Sequence, residues 1–136
     1  MGVQAEGASP MVCRKMIDDP ETIATAIRIG KPVSYTKAMK AVRSSKGAFI
    51  SVSDEEIMNA QKMLARKDGI FAEPASCATI AGLWKLHIKG DLPSGMSVTC
   101  ILTGNGLKDP EAPMGFLPDP LEIEGDWASL KEVLKR

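Results

Sequence analysis

The spacing of apolar and polar residues along the chain changes period several times, and each change predicts an element. Val3-Gln4-Ala5 reads as a strand, and residues 6–10 as the turn that ends it. Residues 21–29 place Ile23, Ala26 and Ile27 at helical spacing, and Gly30 and Pro32 stop that helix. A second helix over 35–43, capped by Ser34, turns Tyr35, Ala38, Met39 and Val42 to one side. Residues 48–52 are apolar and β-branched enough for a strand.

Ser53 with Glu56 three positions later then forms a capping box. The helix it opens runs to about Lys67, with Gly69 as a left-handed C-cap and Ile57, Ala60 and Met63 or Leu64 as its inner stripe. After an extended Ile70-Phe71-Ala72, Glu73-Pro74 opens a helix over 75–89, because proline suits a first helical position that needs no amide donor. Its face of Ala75, Ala78, Thr79 and Gly82 allows close approach, to a ligand or to a sheet. Residues 97–102 are apolar on both faces, as a central parallel strand would be. Thr103-Gly104-Asn105-Gly106 follows as a loop expected to need unusual backbone angles. Four prolines between 109 and 120 predict an irregular crossover, and Asp126 starts a last helix over 127–135.

Strands alternate with helices throughout, so the class is α/β, with a mostly parallel open sheet in a single domain over residues 1–136. Composition refines this only slightly. Apolar residues make up 44% and charged residues 25%, as in a globular protein. The 17 basic and 17 acidic side chains cancel, which argues against nucleic acid or an anionic membrane as partner. No apolar run approaches the roughly 20 residues of a spanning helix, and the first ten residues lack the features of a signal peptide, so a cytoplasmic protein is expected. Cys13, Cys77 and Cys100 share no metal spacing and read as reduced thiols, with no metal site expected.

In open α/β sheets ligands bind beyond the C-terminal ends of the strands. Three loops meet that description: Thr103-Gly104-Asn105-Gly106, Glu73-Pro74-Ala75-Ser76 and Glu6-Gly7-Ala8. The helix start at Ser76 also offers amides to an anion, although no phosphate-loop or dinucleotide fingerprint is present.

Four strings in this order carry a resemblance: Val3-Gln4-Ala5-Glu6-Gly7; Ala24-Thr25-Ala26-Ile27-Arg28-Ile29-Gly30-Lys31-Pro32; Glu73-Pro74-Ala75-Ser76 through Gly82; and Leu102-Thr103-Gly104-Asn105-Gly106-Leu107-Lys108-Asp109-Pro110. Together they resemble the C-terminal part of threonine synthase, a fold-type II pyridoxal-phosphate enzyme. The resemblance implies part of a three-layer large domain and pyridoxal phosphate as cofactor. The implied reaction takes O-phospho-L-homoserine and water to L-threonine and phosphate. It assigns Thr103 to the pyridine nitrogen, with Gly104 beside it, Glu73 to the vicinity of the ring, and Ala26 and Ile27 to the pocket lining. Arg28 falls where it reaches an anionic substrate group or forms a structural ion pair. The family's Schiff-base lysine, phosphate cup and most substrate-phosphate ligands lie in an N-terminal half with no counterpart here, so no catalytic residue is assigned. The expected partner is that missing half, or a second copy. The alternative is a non-catalytic module that binds the cofactor or a partner.

Overall fold

The computed structural model describes residues 1–115, 119 and 121–135. Two strands, β1 (Gly2–Ala5) and β2 (Phe49–Val52), pair in parallel with Val3 opposite Ile50 and Ala5 opposite Val52. Around them lie α1 (Pro10–Cys13), α2 (Tyr35–Ser44), α3 (Asp54–Asp68), α4 (Pro74–Lys89), α5 (Glu111–Met114) and α6 (Trp127–Val133). The class is therefore α/β with a small parallel sheet.

Helix α3 forms where its end chemistry dictates. The Ser53 hydroxyl accepts the Glu56 amide at 3.1 Å, the Ser53 amide donates to Glu56 Oε2 at 2.7 Å, and Gly69 closes the helix at φ 67°. Its stripe of Ile57, Ala60 and Leu64 is buried, joined by Met58 and Gln61, which simple periodicity did not single out. That stripe packs on Cys77, Ala78 and Ala81 of α4, with Ala5 and Val52 completing the core.

Gly82 explains how α4 reaches the sheet. A Cβ at this position would sit 2.8 Å from Val3 Cγ2 and 3.1 Å from Ile50 Cδ1. The small face of α4 thus serves sheet packing. Lys85, one turn on, donates to the Ser51 carbonyl at 2.9 Å and to Glu56 at 3.0 Å, and lies 3.6 Å from Glu6. One ammonium therefore holds together the ends of both strands and the start of α3.

Several expected elements take other forms. The helix over 21–29 shrinks to one 3-10 turn, Thr25–Ile27. The cause is side-chain competition for the backbone: the Ile23 amide donates to Asp54 Oδ2 at 2.9 Å and the Ala24 amide to Thr22 Oγ1 at 3.1 Å. Ser34 precedes α2 without a side-chain cap bond, its backbone lying outside the extended region a cap requires. The half-buried side of α2 is Tyr35, Ala38, Met39 and Val42, as the spacing predicts.

The expected central strand over 97–102 is not a strand. None of its amides or carbonyls makes a backbone hydrogen bond among the described residues, and Val98 and Ile101 stay 47% and 70% exposed. A segment apolar on both faces needs neighbours along its edges, and none pairs with it here. The proline-rich stretch that follows lies partly outside the described residues. Within them it contains the short α5 and the 3-10 turn Gly106–Lys108. Asp126 caps α6 by accepting the amides of Ala128 and Ser129.

The Ser53, Glu56 and Lys85 junction predicts an acid-sensitive contribution to stability. Burial alone would raise the Glu56 carboxyl, but the Ser53 amide and the Lys85 ammonium outweigh it and hold it below its ordinary 4.5. A depressed folded pKa stabilises the native state above the unfolded value and loses that contribution as pH falls through the folded value. Glu56→Gln is expected to lower unfolding free energy at pH 7 by under about 1 kcal/mol, since solvent screens the pair. Urea titrations repeated from pH 7 to 3 should show the two proteins converging below 4.5.

Candidate functional site

The site begins with a proline. Pro74 holds Glu73 extended at φ −63° and ψ 155° and starts α4 behind it. The Glu73 carbonyl accepts the amides of Ser76 and Cys77 at 3.0 and 3.1 Å. Those amides are therefore spent inside the helix start, and the anion site expected there is not formed by them.

The backbone then stitches the 103–106 turn to this helix start. The Glu73 amide donates to the Gly104 carbonyl at 3.0 Å, the Gly106 amide to Phe71 at 2.9 Å, and Ala72 bridges Asn105 in antiparallel fashion. Gly104 and Gly106 do not adopt positive φ, contrary to expectation; the positive-φ glycines are Gly69, Gly90 and Gly95. These two are glycines for lack of room. A Cβ on Gly104 would lie 2.2 Å from Glu73 Oε1, and one on Gly106 would lie 2.4 Å from the Phe71 ring.

Ser76 occupies the centre and is 1% exposed. Its hydroxyl oxygen accepts the amides of Thr103 at 2.8 Å and Gly104 at 2.9 Å, which uses both lone pairs. Its proton must therefore be donated. Thr103 Oγ1 at 3.2 Å is the nearest acceptor, ahead of the Gly104 carbonyl at 3.4 Å and Glu73 Oε1 at 3.5 Å. Thr103 thus receives one hydrogen bond and keeps its own proton, with Glu73 Oε1 3.3 Å away. The chain of donors runs from Ser76 to Thr103 and ends at the buried Glu73 carboxylate, or at an acceptor that takes its place. Next to it, burial and the Glu73 charge push the Cys77 thiol up to about 11, which keeps it a neutral packing group.

Of the residues singled out from sequence, Thr103, Gly104 and Glu73 come together. Ile27 packs half-buried against the core, while Ala26 is exposed. Their 3-10 turn is tied to the far end of the Thr103 loop by Thr25 Oγ1 donating to Asp109 Oδ2 at 2.7 Å. Arg28 is exposed, and its Nε donates to the Thr22 carbonyl at 2.9 Å, a structural bond. The third loop turns elsewhere. Glu6 pairs with Lys85, nine positions beyond Ser76 on α4 and so about 14 Å along the helix. Sequence reasoning missed Ser76 as the organiser and the Thr25–Asp109 tie. The placement of Ser76 three residues after Glu73, on the same side of the helix start, was the available signal.

Comparison with known proteins gives this arrangement a context. The sequence model of the family described as "Pyridoxal-phosphate dependent enzyme" matches residues 1–104. Among curated relatives, the threonine synthase of Halalkalibacterium halodurans is 55% identical over 135 residues, covering 98% of this chain and 38% of the relative. That of Methanocaldococcus jannaschii is 51% identical, covering 98% and 35%, and that of Mycobacterium tuberculosis 47%, covering 98% and 37%. The chain thus spans little more than a third of the relatives it matches. A fungal L-serine ammonia-lyase from Rhizomucor miehei has a similar fold, with TM-score 0.60 at 22% identity over 85% of this chain and 40% of its own. A bacterial threonine deaminase, from T.th., gives TM-score 0.55 at 18% identity over 72% and 36%.

The donor set fits a pyridine ring. A neutral hydroxyl that has one bond donated to it and one proton to give complements a ring nitrogen, and Gly104 adds no side chain beside it.

Ser76→Ala removes the acceptor for two amides at once. An unpaired buried amide costs about 1–3 kcal/mol, so the variant is expected to lose about 2 kcal/mol or more of unfolding free energy. Chemical denaturation of both proteins measures this; an unchanged midpoint would mean that the hydroxyl does not hold the turn.

Proposed function

Since the chain belongs to the family of pyridoxal-phosphate dependent enzymes, we propose that it forms the pyridine-nitrogen side of the cofactor pocket of a threonine synthase. The reaction is the conversion of O-phospho-L-homoserine and water to L-threonine and phosphate, and the chain by itself is inactive. The observation that carries this reading is the Thr103 hydroxyl, fixed by Ser76 and aimed alongside Glu73 at hydrogen-bond distances. The shared length and the 44–55% identity to threonine synthases select this reaction over others in the family.

The roles of the chain's own residues follow from this geometry. Thr103 donates a hydrogen bond to the ring nitrogen, and Ser76 sets the direction of that hydroxyl. A neutral donor does not oblige the nitrogen to stay protonated, as a carboxylate partner would. Glu73 lies near the ring, and Gly104 leaves space for it. The turn around Ala26 and Ile27, braced by Asp109, lines the pocket from the side. Arg28 keeps a structural role through Thr22. When bound, pyridoxal phosphate supplies an electron sink for the elimination and hydration chemistry. Its aldehyde-capturing lysine and phosphate cup come from the part of the enzyme beyond this chain's matched length. That part is the partner we propose, and residues 1–136 form one domain beside it. The free thiols, and the absence among the described residues of a helix long and apolar enough to cross a membrane, suit a cytoplasmic setting.

Reconstitution tests the reading. The chain is mixed or co-expressed with the part of the Halalkalibacterium halodurans enzyme that it does not match, and phosphate release from O-phospho-L-homoserine is followed with pyridoxal phosphate present. Activity is expected only with both polypeptides. Thr103→Val should lower kcat about tenfold or more, while Thr103→Ser retains most of it. Full activity without the chain, or with Thr103→Val, would overturn the assignment.

A further inference from the structure

We propose that the apolar slot between β1 and the extended segment 97–102 receives a single β-strand from the part of the enzyme beyond this chain's matched length. The proposal rests on the threonine synthase reading above and names the surface through which that enzyme is completed.

The slot is a cavity of about 410 Å³ walled by Met1 and Val3 on one side and residues 97–101 on the other, with Thr79, Leu83 and Leu86 of α4 among its lining. Its walls are unpaired strand backbone. Gly2 donates to Ala48 at 3.0 Å, so in the parallel β1–β2 ladder the alternate residues Gly2 and Gln4 bond toward β2. The amides and carbonyls of Val3 and Ala5 therefore point to the opposite edge, where no strand pairs with them among the described residues. On the other wall, residues 97–102 likewise spend no backbone group on another backbone. Two rows of unpaired donors and acceptors face an apolar floor, the arrangement a strand edge offers to an incoming strand.

The occupant follows from chemistry and length. Val98 and Ile101, apolar yet 47% and 70% exposed, are suited to a sheet interior and wasted at an edge. A helix cannot pair with either wall, because its own backbone bonds are internal. The curated relatives carry more than half their length outside the matched region, so the enzyme has the chain to supply a strand. A second copy of this chain offers only β1, already half-paired, and the same unpaired segment.

Amide hydrogen exchange tests this, read residue by residue on the chain alone and on the chain co-expressed with the unmatched part of the Halalkalibacterium halodurans enzyme. The amides of Val3 and of residues 98–101 should exchange freely in the lone chain and slow by about tenfold or more in the complex. Thr99→Pro removes an amide that has no partner in the lone chain. It should leave the chain's own unfolding midpoint unchanged while weakening association about tenfold or more. A complex in which these amides exchange as fast as in the lone chain would overturn the proposal, and so would no complex at all. Protection in a dimer of the chain alone would also overturn it, by making a second copy the occupant. A complex with a protected slot but no phosphate release would support the slot and remove the functional reading. Activity with an unprotected slot would do the reverse.

Discussion

One oxygen atom decides the shape of the site. The Ser76 hydroxyl accepts the amides of Thr103 and Gly104 and passes its proton on to Thr103, so a turn distant in sequence is locked to the start of α4. The lock is possible because Pro74 fixes where the helix begins and because Gly104 carries no side chain to collide with Glu73. Remove any of these and the Thr103 hydroxyl loses its direction. In a buried setting a hydroxyl network either satisfies all its members or costs stability, which explains why a polar cluster survives beside an alanine-rich core.

The scaffold places that lock with few parts. Gly82 lets α4 lie close on β1 and β2, and the buried stripe of α3 presses it there from the other side. Lys85 then gathers the Ser51 carbonyl and the Glu56 and Glu6 carboxylates at the far end of the same helix. Helix α4 therefore carries the site at its start and the structural junction near its end. A disturbance at either end is transmitted along a single rigid element.

What was legible in the sequence was local chemistry. Ser53 with Glu56, Pro74 at a helix start, Gly69 as a left-handed cap and Asp126 before α6 each specify a bond within a few residues, and each bond is present. The convergence of Thr103, Gly104 and Glu73 was legible only through the resemblance, since nothing in the spacing brings residue 73 to residue 103. What stayed illegible depends on partners remote in the chain. The Asp54 carboxylate, thirty-one residues from Ile23, diverts that segment from a helix. The apolar pattern of 97–102 is that of a central strand, yet a strand needs a neighbour, and none pairs with it among the described residues. The glycines of the turn were read for backbone freedom when their reason is space, a distinction only the position of Glu73 and Phe71 reveals.

The central claim is that this chain carries the ring-nitrogen side of a pyridoxal-phosphate site and not the lysine that captures the aldehyde. Incubating the purified chain with pyridoxal phosphate, reducing with borohydride and reading the intact mass tests it directly. The account predicts no stoichiometric pyridoxyl adduct. A single adduct mapping to one specific lysine would contradict it and identify a catalytic residue within these 136 positions.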